Sequence, residues 1–279
     1  MVGQVPLWLI ILEKKLIFIR VFIRVKDMNE RLAGKVIIVT GAESGIGRSI
    51  VQRLIIDGAC VTAAGLNVEG LKETADLCAE TGGKERLIWT KTDVRETASV
   101  NDMINQTKKN FSRLDAAIAN AGIVLGQTPF YNITLDDWDR IIATNLRGVF
   151  ITIQAACKVL IEQGEGGSLL ATGSSTAIRV APGFASYIAA KGGVHLMMQA
   201  LALELAEHKI RVNTIVPGTT RTAITEALPG YLDKVAPTLP MGEVVEPYEL
   251  ANFVSFALSD EAPHLTGTLL KVDAGRVIA

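Results

Sequence analysis

The sequence predicts an α/β fold in which a seven-stranded parallel sheet is covered by helices on both faces. From residue 34 onward, short apolar segments alternate with longer segments of helical periodicity, the order that crossover connections between parallel strands require. The first apolar segment, Lys35–Thr40, is rich in β-branched residues, as expected for a strand buried on both faces. We therefore expect three layers, a doubly wound, Rossmann-like arrangement.

Six further strands and several helices follow the first strand. A helix is predicted over Ile46–Asp57, because its apolar spacing ends at Gly58. Two long helices are predicted over Asp136–Gln163 and Ala185–His208. No repeat or Pro/Ser-rich linker interrupts this order, so residues 28–279 are predicted to form a single domain. The six further strands are predicted at Cys60–Ala64, Arg86–Lys91, Asp115–Ala119, Ser168–Thr172, Arg211–Val216 and Thr268–Val272.

Composition excludes several classes of function. The 28 basic residues nearly balance the 29 acidic ones, so no basic surface indicates a nucleic-acid partner. The three cysteines show no CxxC spacing, which argues against a disulfide framework and favours a reducing, cytoplasmic location. The three histidines are scattered along the chain, so no metal site is predicted.

Residues 1–27 form an extension of different composition. Its two apolar runs are broken by charged residues and fall short of the roughly 18 uncharged residues of a membrane span. Three interpretations stay open: a start-site artefact, since Met28 begins a natural lead into the first strand; an extra element covering an oligomer surface; or an interfacial membrane helix. Membrane association of the chain is not expected.

A glycine-rich turn connects the first strand to its helix. Gly41, Gly45 and Gly47 have the spacing GxxxGxG, with Glu43, Ser44 and Ile46 between them. Glycine lets a pyrophosphate approach the backbone amides, and the helix N-terminus supplies unpaired N–H groups for the anion. Because this turn lies between a buried strand and a helix, it predicts a dinucleotide site.

The turn resembles the cofactor loop of the short-chain dehydrogenase/reductase family, and further motifs of that family follow in order across residues 30–276. The resemblance implies a nicotinamide cofactor, NAD or NADP, and a homodimer or homotetramer formed through the two long helices. It implies catalytic roles for Asn145, Ser174, Tyr187 and Lys191. It also implies cofactor contacts from Asp93, Val94, Asn120, Ala121, Gly122, Tyr187, Lys191, Pro217, Gly218 and Thr222.

Tyr187 and Lys191 are four residues apart, which places them on one face of a helix. A free phenol has a pKa near 10, about three units too high for acid/base chemistry at neutral pH. An ammonium about 4 Å away contributes roughly 4 kcal/mol at an effective dielectric of 20, enough to make up this difference. Tyr187 is therefore predicted as the general acid/base, with Lys191 lowering its pKa and binding the ribose.

Two further residues of the catalytic group follow from the resemblance. Ser174 is predicted to donate a hydrogen bond to the substrate oxygen, with Ser175 as the alternative. Asn145 is predicted to anchor a water that relays protons to Lys191. A simpler interpretation is that the Asn145 side-chain amide forms a hydrogen bond with the backbone of a kinked helix.

The choice between NAD and NADP depends on the end of the second strand. Relatives that prefer NAD place an acid where Gly65 stands, and those that prefer NADP place a base near Leu66 or Ser44; this sequence has neither. Glu43 would repel a 2′-phosphate if it points inward, which favours NAD. Arg48 could reverse that preference.

The substrate is predicted to be a small-molecule secondary alcohol or ketone of modest polarity. Residues 176–184 and 223–241 are expected to form the walls and lid of its pocket, and the selected lining residues are largely apolar. Two alternatives are a sugar-nucleotide epimerase or dehydratase, and a non-catalytic protein that retains the cofactor pocket. The predicted lining residues are Ile178, Val180, Phe184, Leu228, Tyr231 and Leu232.

Overall fold

The computed structural model describes residues 30–279, so the extension 1–27 and its three interpretations lie outside the described residues. Seven parallel strands form one sheet in the order β3-β2-β1-β4-β5-β6-β7. All seven predicted strands are confirmed. They are β1 (Val36–Thr40), β2 (Cys60–Gly65), β3 (Leu87–Lys91), β4 (Ala116–Ala119), β5 (Gly167–Thr172), β6 (Ile210–Pro217) and β7 (Leu269–Val272).

Helices cover both faces of the sheet. They are α1 (Gly45–Ile56), α2 (Val68–Ala79), α3 (Thr97–Phe111), α4 (Leu135–Ile142), α5 (Gly148–Gln163), α6 (Ala185–Glu204), α7 (Ala223–Glu226), α8 (Tyr231–Val235) and α9 (Pro247–Leu258). Short 3₁₀ turns lie at Phe130–Asn132, Ser175–Ala177, Ala206–His208, Ala236–Thr238 and Arg276–Ile278.

Successive residues of β1 show why the fold has three layers. Ile37 and Val39 point into a core shared with α1, α2 and α9, whereas Ile38 points into a second core shared with α3, α5 and α6. This alternation follows from the two-residue period of a strand, and both cores are buried. The predicted three-layer, doubly wound fold is confirmed.

The strand order reverses between β1 and β4, where Ile37 pairs with Ala116 and Val39 pairs with Ile118. The connections from β1 lead toward one edge of the sheet, and those from β4 lead toward the other. In open α/β sheets such a switch point leaves a crevice at the carboxyl ends of the strands, where ligands bind.

One predicted helix differs from the observed structure. Asp136–Gln163 is not a continuous α-helix, because a π-helical turn at Ala143–Arg147 separates α4 from α5. Such turns insert an extra residue and often occur at functional sites. None of the helices within residues 30–279 is long and apolar enough to cross a membrane.

Candidate functional site

The turn between β1 and α1 requires glycine at two positions. A Cβ on Gly47 would collide with the carbonyl oxygen of Gly41, and a Cβ on Gly41 would lie 2.8 Å from the Cα of Ala121. Ser44 is the N-cap of α1, and its side chain makes no hydrogen bond to the first turn. A cradle without Cβ atoms, at the positive end of a twelve-residue helix, fits the pyrophosphate of a dinucleotide.

Asn120 joins the carboxyl ends of three strands. Its amide nitrogen donates to the carbonyl oxygen of Thr40 at 3.0 Å, and its amide oxygen accepts from the Thr172 hydroxyl at 3.0 Å. The Thr40 hydroxyl in turn accepts from the backbone N–H groups of Asn120 and Ala121. The edge of the crevice formed by β1, β4 and β5 is therefore held by side-chain hydrogen bonds as well as by the sheet.

Asn145 is fully buried and lies in the π-helical turn. Its side chain pairs with the backbone of Ile123, accepting from the N–H at 2.8 Å and donating to the carbonyl at 2.7 Å. The simpler interpretation of Asn145 named the wrong partner, because its amide binds the loop after β4 instead of its own helix. A Cβ on Gly122 would lie 3.1 Å from the Asn145 amide oxygen and 3.6 Å from the Lys191 amine, so glycine leaves open the space that both groups border.

Lys191 is buried beneath the site. Its amine donates to the carbonyl oxygen of Thr172 at 2.6 Å and lies 5.9 Å from the centre of the Tyr187 ring. Burial lowers the pKa of Lys191 to about 8. The amine and the ring are thus neighbours on one helix face, at more than the 4 Å used in the sequence argument, and Thr172 is a contact that the sequence did not indicate.

Ser174 lies two residues after the end of β5, and its side chain faces Tyr187. Burial raises the pKa of Tyr187 above that of a free phenol, and a hydrogen bond from the Ser174 side chain partly opposes this effect. The prediction that Lys191 lowers the pKa of Tyr187 is therefore wrong for this structure, in which burial raises the pKa and only Ser174 opposes it. The Ser174 hydroxyl also accepts from the Thr176 N–H at 3.2 Å, and Ser175 is the more deeply buried of the two serines.

His195 lies one turn beyond Lys191 on α6 and is buried. Its Nε2 accepts a hydrogen bond from the backbone N–H of Ser174 at 3.2 Å, and a Cβ on Gly173 would collide with its ring. Burial, and then the charge of Lys191, lower the pKa of His195 to about 4, so the imidazole is neutral at pH 7. His195 therefore fixes the backbone that carries Ser174.

The remaining predicted cofactor residues lie around the same crevice. The Asp93 carboxylate forms a two-point ion pair with Arg95, and the pKa of Asp93 is lowered mainly by these hydrogen bonds. Val94 packs on the start of α5, where a Cβ on Gly148 would lie 2.8 Å from its side chain.

The loop after β6 reaches the glycine turn. Pro217 ends β6, and the N–H of Gly218 donates to the Val272 carbonyl at 2.9 Å. A Cβ on Gly45 would lie 3.3 Å from the Thr222 side chain. This contact brings the predicted nicotinamide segment beside the predicted phosphate segment.

Arg48, the residue that could favour NADP, has other partners. Its guanidinium donates to the Glu73 carboxylate at 2.7 Å and to the backbone carbonyl of Glu43 at 2.7 Å. A third hydrogen bond reaches the Thr74 hydroxyl at 3.1 Å. The cation therefore braces the glycine turn against α2.

A cleft with both polar and apolar walls lies beside Tyr187. It is walled by Phe184, as predicted, and by Val124 and Leu125 from the loop after β4, which the sequence analysis did not select. No described residue of the segment 223–241 lines this cleft. Leu232 instead lines a second cavity, together with Val244 and Asp273.

The sequence of this chain is similar to those of known oxidoreductases. The sequence model of the enoyl-(acyl carrier protein) reductase family matches residues 41–276. A 3α-hydroxysteroid dehydrogenase from Mediterraneibacter gnavus is 38% identical over 87% of this chain and 96% of its own length. This chain belongs to the short-chain dehydrogenase/reductase family.

Solved structures of other family members superimpose closely. The 3-ketoacyl-(acyl-carrier-protein) reductase from Brucella melitensis, complexed with NADH, has a TM-score of 0.83 and 30% identity, covering 88% of this chain and 99% of its own. Carveol dehydrogenase from Mycobacterium avium, in complex with NAD, has a TM-score of 0.83 and 32% identity, covering 90% and 100% of the two chains. As a short-chain dehydrogenase/reductase, this protein is a nicotinamide-dependent oxidoreductase that interconverts a secondary alcohol and a ketone.

Proposed function

We propose that Tyr187 transfers the proton in this reaction, as general acid in ketone reduction and general base in alcohol oxidation. The observation that carries the proposal is the meeting of Tyr187, Ser174 and Lys191 beside the glycine turn at the carboxyl ends of β1, β4 and β5. A nicotinamide cofactor supplies the hydride acceptor or donor when it is bound.

The protonation state of Tyr187 suits the reductive direction. Because burial holds its pKa above that of a free phenol, the side chain keeps its proton at neutral pH and can donate it to a developing alkoxide. We propose that the Ser174 hydroxyl donates a second hydrogen bond to that oxygen. The buried Lys191 ammonium adds positive charge close to the ring, which stabilises the phenolate after the proton has left.

Asn145 and Lys191 are proposed to form the route by which the proton is replaced. Both side chains border the open space beside Gly122, and the Asn145 amide is fixed by both of its hydrogen bonds to Ile123. The Lys191 amine, with a pKa of about 8, is able to exchange protons near neutral pH.

NAD is the proposed cofactor. Relatives of the same fold are solved in complex with NADH and with NAD. Among the described residues near the adenosine end of the crevice, Arg48 already binds Glu73, and positions 44 and 66 are Ser and Leu, so the bases that pair a 2′-phosphate are missing there. Gly41, Gly45 and Gly47 would hold the pyrophosphate, and Asp93 and Val94 the adenine.

The substrate is proposed to be a secondary alcohol of modest polarity or its ketone. The cleft beside Tyr187 combines apolar side chains, such as Val124 and Phe184, with the polar side chains of Thr128, Asp137 and Ser186. Relatives named for a hydroxysteroid and for carveol fit the same preference.

Assembly and location are proposed from the surface and the cysteines. Leu196 and Leu203 on α6 are 70% and 84% exposed, and Phe150 on α5 is also exposed, which favours a homodimer or homotetramer through these helices. All three cysteines of the described chain are free, as expected of a cytoplasmic protein. Residues 28–279 are proposed to act as one domain that does not need residues 1–27.

Replacing Tyr187 with phenylalanine tests the proposed chemistry. The turnover number should fall by about 10² to 10⁴, the usual contribution of general acid/base catalysis, because only the hydroxyl is removed. The affinity for NADH, measured by fluorescence, should change by about fivefold or less, the scale of one lost neutral hydrogen bond of about 1 kcal/mol. A variant that keeps near-normal turnover would contradict the assignment of Tyr187.

A further inference from the structure

The Glu43 side chain crosses from the glycine turn to the end of β2. Its Oε1 accepts a hydrogen bond from the backbone N–H of Leu66 at 3.2 Å. A Cβ on Gly65 would collide with the carboxylate and would lie 2.8 Å from Oε1. The carboxylate of Glu43 therefore occupies the space in which a side chain at position 65 would begin.

The second oxygen of this carboxylate has no partner. Oε2 is buried and makes no hydrogen bond to any described residue. A buried, unpaired carboxylate oxygen is costly, and such groups in folded proteins normally meet a donor. The geometry thus leaves one strong acceptor at the carboxyl end of β2, beside the glycine turn.

This position is where relatives that prefer NAD carry their own acid, on the residue equivalent to Gly65. Here the acid is supplied from another segment, because Gly65 has no side chain and Glu43 fills its place. Arg48 donates to the backbone carbonyl of Glu43 at 2.7 Å and so holds the turn that carries it.

We propose that Glu43 is the specificity-determining residue for the cofactor. Its carboxylate accepts a hydrogen bond from the adenosine ribose of NAD and repels the 2′-phosphate of NADP. The inference rests on the proposed function, since it assumes that the crevice binds a nicotinamide dinucleotide. It goes further by assigning the role of the missing β2 acid to a residue of the phosphate turn.

Glu43→Gln tests the charge while keeping the shape and the acceptor for Leu66. Calorimetry with ADP-ribose and with its 2′-phosphate measures binding without turnover. The ratio of the two affinities should shift toward the 2′-phosphate by about tenfold, the scale of one charge-assisted hydrogen bond. Glu69→Gln, which removes an exposed acid from the neighbouring helix α2, is the matched control and should leave the ratio unchanged.

A double variant tests the exchange of positions. Gly65→Asp alone should weaken ADP-ribose binding, because two carboxylates would share one space. Combined with Glu43→Ala, the same substitution should restore both the affinity and the preference for the unphosphorylated ligand. Thermal unfolding of each variant checks that the chain is folded.

The outcomes separate the two proposals. If Glu43→Gln gives the same ratio as Glu69→Gln, the role of Glu43 is refuted while the enzyme keeps its proposed function. If the double variant binds no better than Gly65→Asp alone, the exchange of positions is wrong. If the wild-type protein binds neither NADH nor NADPH, the proposed function fails and the inference falls with it.

Discussion

Replacing Lys191 with methionine should make the protein more stable and inactive. Burial lowers the pKa of Lys191 from its ordinary 10.5 to about 8. Keeping the buried ammonium charged at pH 7 therefore reduces the free energy of unfolding by roughly 3 kcal/mol. Methionine has a similar shape and no charge, but it gives up the hydrogen bond to Thr172, worth about 1 kcal/mol. The net gain is about 2 kcal/mol, or a rise in Tm of roughly 4 to 8 °C for a chain of this size.

The pH dependence of that gain provides a second measurement. Because the folded pKa of Lys191 lies below its unfolded value, the unfolded chain holds more protons between pH 8 and 10.5, and wild-type stability rises with pH across this window. The Lys191→Met variant should lack this rise. Urea unfolding at pH 7 and pH 10 measures both effects, and the exposed Lys109→Met serves as a control with a change of about 0.5 kcal/mol or less. A variant less stable than wild type at pH 7 would refute the reasoning.

Four further predictions concern Tyr187, His195 and the α6 surface. In the absence of cofactor, Tyr187 should ionise at a higher pH than a free phenol, measured as the difference in tyrosinate absorbance between the wild type and Tyr187→Phe. Bound NAD⁺ should shift the midpoint of this difference to lower pH. A midpoint below pH 10 without cofactor would contradict the effect that we assign to burial. His195→Leu should lower turnover about tenfold with little change in KM, because the Ser174 N–H loses its acceptor, while His195→Gln should recover part of it. Since the folded pKa of His195 is about 4, wild-type stability should fall as pH drops from 6.5 toward 4, and both variants should lack this contribution; equal acid sensitivity would rule it out. Leu203→Asp should give a smaller species by light scattering, and an unchanged mass would exclude this face from the assembly.

Much of the fold was predictable because local patterns determine it. The β-branched run before Gly41, the spacing of the glycines and the alternation of strands and helices each depend on neighbours in the sequence. Tyr187 and Lys191 were predictable for the same reason, since four residues of one helix bring them to the same face.

Contacts between distant segments were not predictable. Glu43 reaches Gly65 only because β1 and β2 are adjacent strands, and Thr172 meets the Lys191 amine only after α6 has packed on β5. The π-helical turn at Asn145 likewise depends on a partner, Ile123, that lies 22 residues earlier. The only local signal for Thr172 was its position at the end of a predicted strand.

Tyr187, Lys191 and His195 occupy successive turns of one long helix, so their relative positions are set by a single rigid rod. An insertion or deletion of one residue between any two of them would rotate one group about 100° away from the others. The walls of the cleft, in contrast, come from loops that tolerate changes of length. New substrates can therefore be acquired by remodelling residues such as Val124 and Leu125, while the reactive groups keep their alignment.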